Sequence, residues 1–157
     1  MELKVKVDQS HCNYRLSLNL SELGWKVIFR DPGRVSRGIS GNQETVLGVF
    51  ERNSLPIPDI VATMDSSLLL IEVDVNPWSN KQSFDSYKSN CKLIVSELIK
   101  GNVLDGSVNT LLLGFCKVGT IKNISELQNA LLVNLIASFE DPLKPSLFWS
   151  FENVVTF

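Results

Sequence analysis

One histidine and three cysteines are all the imidazole and thiol ligands that 157 residues contain. The cysteines, Cys12, Cys91 and Cys116, are far apart and odd in number, with no Cys-x-x-Cys pair. This speaks against a zinc site and a disulfide framework, and fits reduced thiols in a cytoplasmic protein. The lone His11 reads as a surface residue. Positive charge is not in excess: the net charge is −2, so any contact with nucleic acid has to come from a local patch. No apolar stretch approaches a membrane span, and the opening Met-Glu-Leu-Lys-Val-Lys is not a signal peptide. Repeats and low-complexity segments are missing too.

What is present suits one globular domain over residues 1–157: 44% apolar and 20% charged residues, and a chain long enough for a real core. The most informative stretch is 57–75. Ile57-Pro58-Asp59-Ile60-Val61-Ala62-Thr63 and Leu68-Leu69-Leu70-Ile71-Glu72-Val73-Asp74-Val75 are two β-prone runs joined by Met64-Asp65-Ser66-Ser67. Asp59, Glu72 and Asp74 are carboxylates set into apolar sequence, where burial costs several kcal/mol unless compensated. A hairpin with the two-residue loop Asp65-Ser66 puts Met64 opposite Ser67 and Asp59 opposite Glu72. Asp74 shares the face of Glu72, roughly 6–7 Å along the strand. Like charges across a sheet repel. A divalent cation between them reverses the sign, and carboxylate oxygens suit Mg²⁺ or Mn²⁺. A slip of one residue would turn Asp59 to the other face.

Around this hairpin the pattern predicts a short strand or arm over 2–7, a helix over 10–23 stopped by Gly24, and a half-buried strand over 25–30. Residues 30–42 then form a loop rich in Arg and Gly. Arg30, Arg34 and Arg37 are its candidate phosphate contacts, with Ser and backbone amides in support. Another strand is expected over 44–51, with Pro56 and Pro58 at a strand start or edge. Ser79 and Gln82 resemble a capping box for a helix reaching about Lys100, with Phe84, Tyr87, Cys91, Ile94, Val95, Leu98 and Ile99 on its buried stripe. Lys81, Asp85, Lys88 and Lys92 lie on the other side. Side chains lean toward a helix's N-terminus, so Lys81 or Lys88 could reach the carboxylates. Residues 108–116 read as a strand covered on both faces. Ser125 and Gln128 suggest a second long helix, with Leu127, Leu131, Leu135 and Phe139 inward, ended by Asp141-Pro142. Residues 146–157 are β-prone, suited to an edge strand or a dimer surface.

The order helix, three mostly antiparallel strands, helix, strand, with Pro58-Asp59 on one strand and Glu72-Val73-Asp74 on the next, resembles the PD-(D/E)xK nuclease superfamily over about residues 10–116. The resemblance implies an α/β (α+β) fold with a restriction-endonuclease-like core, a mixed central sheet flanked by helices. Residues 117–157 would then add a C-terminal helix and a β-prone tail. By that likeness Asp59 and Glu72 hold Mg²⁺, with the Val73 carbonyl as a further ligand, and the metal polarises the scissile phosphate and supplies hydroxide. The family's usual lysine slot holds Asp74, a third acid of the site. Lys88 is similar in placement to the helix lysine of variants such as the viral cap-snatching endonucleases, with Lys81 the second choice. Many members carry a glutamate on the first helix; Glu22 and Glu44 are the weak candidates here. The expected function is a metal-dependent endonuclease cutting DNA, of restriction, transposon or repair type, as a homodimer or with a partner subunit supplying specificity. The alternatives are a non-catalytic nuclease-fold module that binds DNA or another subunit, and an unrelated α+β domain whose acids are solvated.

Overall fold

The computed structural model describes residues 7–31 and 43–157. Residues 1–6, hence the expected arm, and residues 32–42, hence Arg34 and Arg37, lie outside the described residues. The chain runs through helix α1 (Gln9–Glu22), strand β1 (Lys26–Arg30), helix α2 (Gln43–Arg52), β2 (Ile60–Met64), β3 (Ser67–Asp74) and a 3-10 helix (Pro77–Asn80). It continues through α3 (Lys81–Ser89), α4 (Cys91–Lys100), β4 (Thr110–Lys117), α5 (Ile124–Leu131), β5 (Leu135–Asp141), β6 (Lys144–Trp149) and β7 (Val155–Thr156). The strands form one mixed sheet in the order β1-β2-β3-β4-β5-β6, with β7 beside the first residues of β4. β1, β2 and β3 are antiparallel, β4 is parallel to β3 and β5 to β4, and β6 returns antiparallel on β5. The architecture is thus α/β with an open mixed sheet. Among the described residues no helix is long and apolar enough to cross a membrane.

Helices cover both faces of the sheet, which is why β3 and β4 read as nearly continuous apolar runs. One face carries α2, α3, α4 and α5 over Phe29, Val61, Leu68, Leu70, Leu113 and Phe115. The other carries α1, whose Cys12, Leu16 and Leu20 pack on Ala62, Leu69, Ile71 and Cys116. The spacing of 4 residues puts those three side chains on one stripe of α1. Gly24 follows with φ +102°, the left-handed conformation that ends the helix cheaply. All three cysteines are free and buried.

Four expectations are corrected. Residues 44–51 are not a strand but most of α2. Val46, Val49 and Phe50 are its buried residues, at helical spacing, and tertiary packing overrides the β-propensity of Val and Phe. The helix expected over 79–100 is three pieces. Its break falls at Asn90, whose side-chain amide donates to Ser86 O at 2.8 Å beside its own main-chain N–H at 3.1 Å. The buried stripe Phe84, Tyr87, Cys91, Ile94, Val95, Leu98 survives the break. The second long helix stops at Leu131, and residues 135–141 are strand β5. Asn134, 2% exposed, decides this. Its side chain accepts from Leu113 N (3.0 Å) and donates to Ser150 O (3.1 Å), locking the chain onto β4. Finally, the caps of the 3-10 helix and of α5 are asparagines, Asn76 and Asn123. Asn123, not Ser125, accepts from Glu126 N at 3.0 Å, and Ser79 bonds to Asp74 instead of closing a capping box.

Candidate active site

The hairpin register follows the expectation. Met64 pairs with Ser67, Val61 with Leu70 and Ile60 with Ile71. Asp65 takes φ 53°, the positive value a two-residue turn requires, and the Thr63 hydroxyl donates to Ser67 O at 3.0 Å across it. Extending that register by one pair brings Asp59 and Glu72 together at the far end of the hairpin.

Asp59 stands where β2 begins and its ladder changes. Its N–H donates to Ile71 O (2.9 Å), not to the residue directly opposite, and its carbonyl accepts from Asp31 N (2.6 Å). Its side chain takes over the role of a ladder acceptor: Val73 N donates to Oδ2 at 2.7 Å. Gln9, in the first turn of α1, donates to Oδ1 at 3.3 Å. Glu72 lies on the face covered by α2–α5 and accepts from the Tyr87 hydroxyl at 2.5 Å. Tyr87 itself is fully buried and sits edge-on to Phe50, 6.0 Å between ring centres.

The two carboxyls are 7% and 6% exposed, and each stands near enough to the other to act on its ionisation. Two neighbouring carboxyls in a dry site ionise one at a time, so the pair retains a proton between them. Burial, working against the Val73 amide, pushes Asp59 up to about 6. Burial, with the Asp59 charge adding to it against the Tyr87 hydrogen bond, pushes Glu72 up to about 8. The same burial and the Glu72 charge raise the Tyr87 phenol, which therefore stays a donor. Among the described residues no cation bonds to either carboxyl.

Asp74 does not join the pair. Its Oδ1 accepts from Val75 N (2.7 Å) and Asn76 N (3.3 Å), and its Oδ2 from Ser79 Oγ (3.1 Å) and Asn80 Nδ2 (3.2 Å). Slight burial raises its carboxyl, and these four bonds outweigh that and hold it below the ordinary value. It is the clamp of the 3-10 helix. Lys88 is also spent elsewhere: Nζ donates to Leu132 O at 3.0 Å, and burial lowers its pKa against the pull of Asp85. The α3 residue that touches Glu72 is Tyr87, on the buried stripe, so the helix brings a phenol to the pair and not the expected lysine. Lys81 is exposed at the start of α3. Arg30 is 9% exposed and its guanidinium lies over the Tyr14 ring, 5.3 Å from the centroid, so it is no open phosphate contact. Asp31 N donates to Asp59 O at 2.6 Å. The Gln43 side chain donates to Arg30 O (2.7 Å) and accepts from Arg30 N (3.2 Å).

Gln9 and Tyr87 are the contacts that pattern reading passed over. Asn13 and Leu16 fall on the buried stripe of α1, and Gln9, exposed in its first turn, precedes Asn13 by one helical turn; a polar Asn13 on that stripe is the signal the sequence offers. Asn13 is 5% exposed, reaches Asp31 O at 3.5 Å, and its Oδ1 has no hydrogen-bond partner. The first-helix partner of the site is thus an amide. Glu22 stands at the opposite end of α1, and Glu44 lies exposed in the first turn of α2.

Among the described residues no group of three or more His, Cys, Asp or Glu comes together to hold a metal. The pair offers two carboxylates and one carbonyl. Val73 N–H faces β2 while Asp74 O accepts from Val118 N on the other edge, so the Val73 carbonyl also faces β2, across from Pro58, which has no N–H to give it. One or two carboxylates with several waters is how Mg²⁺ is usually held, so this donor set fits Mg²⁺ or Mn²⁺ with water completing the shell. Set against protein-family models, curated proteins and solved structures, the chain matches none.

Proposed function

We propose that the chain is a metal-dependent phosphodiesterase acting on DNA, built on a restriction-endonuclease-like core. The order α1, β1, β2, β3, α3–α4, β4, with α2 inserted after β1, supports that core. The observation that carries the reading is the Asp59–Glu72 pair: two buried carboxyls from adjacent strands, held together without a bonded cation among the described residues. Leaving like charges in a dry pocket is costly unless a ligand uses them. A bound Mg²⁺ or Mn²⁺ would supply Lewis-acid polarisation of a phosphoryl oxygen and a hydroxide at neutral pH.

The chain's own residues do the rest. Asp59 is oriented by Val73 N and Gln9, so one oxygen has a fixed bearing before any ligand arrives. Tyr87 holds Glu72 and favours its ionised form. The pair has to shed its shared proton to accept a cation, which ties binding to pH. Lys81 and the Arg34–Arg37 segment are the candidates for phosphate charge. Cutting both strands of a duplex would call for a second copy or a partner subunit.

Supercoiled plasmid incubated with Mg²⁺, Mn²⁺ or EDTA tests this. Nicking that needs the cation and disappears in Asp59→Asn and Glu72→Gln is expected. No cleavage of plasmid or of single-stranded DNA under any metal would sink it. The positions of Lys88 and Asp74, both committed to structural bonds, favour a second reading, a nuclease-fold module that binds DNA without cutting it. That reading predicts metal-independent DNA binding and no nicking.

A further inference from the structure

We propose that the cleft between the 3-10 helix and the start of α5 binds an unpaired nucleotide, so that the substrate strand at the acid pair is single-stranded. The second half of this rests on the phosphodiesterase reading; the pocket itself does not. The cleft holds about 500 Å³ and is lined by Trp78, Lys117, Thr120, Lys122, Asn123 and Glu126, among others. That volume lies in the range of about 300–1,000 Å³ typical of small-ligand sites.

Its chemistry is that of a nucleotide. Trp78 is 60% exposed, yet it stands on a pinned backbone: Trp78 N donates to Asn76 Oδ1 at 3.0 Å, and Asp74 accepts from Val75 and Asn76 before it and from Ser79 and Asn80 after it. An open indole on a fixed turn is a stacking platform that loses little freedom on binding. Lys117 and Lys122 supply positive charge for a phosphate, against the single acid Glu126. A base stacked on Trp78 cannot also be stacked in a duplex, so the pocket selects an unpaired strand.

Position links the cleft to the acids. Lys117 pairs with Asp74 in the β3–β4 register, as Phe115 pairs with Glu72. Lys117 therefore shares Glu72's face, about 7 Å further along the strand direction. One strand of nucleic acid can lie in the cleft and pass the acid pair.

The test uses the full chain in EDTA, with labelled oligo(dT) as probe and a mixed-sequence duplex of equal length as comparator. Wild type should prefer the single strand. Trp78→Ala should weaken that binding by about 5- to 100-fold, while Trp78→Phe retains most of it. Lys117→Ala with Lys122→Ala should weaken it and flatten its salt dependence. The thermal midpoint of Trp78→Ala should match wild type, because the ring is exposed. Equal affinity of wild type and Trp78→Ala for the single strand, or a wild-type preference for duplex, overturns the pocket even where plasmid is nicked. Single-strand binding lost in Trp78→Ala, alongside no cleavage in Mg²⁺ or Mn²⁺, upholds the pocket and overturns the phosphodiesterase reading.

Discussion

Glu72→Gln should make the metal-free protein more stable at high pH. Glu72, ordinarily near 4.5, is pushed to about 8 in the fold, so the folded chain binds a proton that the unfolded chain has released. A raised pKa of this kind stabilises the fold fully below about 4.5, and that contribution is lost as pH rises through about 8. The difference of about 3.5 pH units, at about 1.36 kcal/mol each, amounts to about 5 kcal/mol. Glu72 is nearly as dry as the core, at 6% exposed, so solvent screening removes little of it. Gln keeps the shape, still accepts from the Tyr87 hydroxyl, and can donate to Asp59. Urea unfolding in EDTA should therefore find wild type and Glu72→Gln within about 1 kcal/mol at pH 5. At pH 9 the variant should lead by about 3–5 kcal/mol, roughly 10–15 °C in thermal midpoint for a chain of this size. Saturating Mg²⁺ should restore wild type at pH 8 and leave the variant unmoved. A gap between the two that is the same at pH 5 and pH 9, or a variant weaker at both, would refute a proton-sharing pair.

Three smaller perturbations check neighbouring claims. Tyr87→Phe removes the donor to Glu72 and should raise that carboxyl further, seen in a ¹³C NMR titration, while costing about 1–2 kcal/mol of stability. Asn134→Ala leaves Leu113 N and Ser150 O without their partner and should cost about 2–4 kcal/mol in chemical unfolding. Leu132, 45% exposed at φ 55°, caps α5 in a conformation that suits glycine, so Leu132→Gly should gain about 0.5–1 kcal/mol in thermal melts.

The hairpin was legible because its determinants are local. A two-residue turn admits one register, and that register brings Asp59 to Glu72. The buried stripe of α3 and α4 was legible for the same reason, as was the both-faces-covered character of β4. Segments with mixed signals went astray. Val46-Leu47-Gly48-Val49-Phe50 is β-prone by residue type but helical by spacing, and the sheet had no place for it. Leu127, Leu131 and Leu135 keep a helical interval across a boundary that depends on Asn134 meeting Leu113, 21 residues away.

By itself, then, the sequence determined which carboxylates lie opposite each other, since alternation and turn length are properties of neighbouring residues. Only the tertiary structure decided what surrounds them. Asp74 has the sequence pattern of a third acid of the site, but the following turn takes all four of its hydrogen bonds. Lys88 was read as the helix's contribution, but Leu132 holds it. Tyr87 and Gln9 reach the pair because of how α3 and α1 are rotated on the sheet, and that rotation is set by packing of side chains distant in sequence.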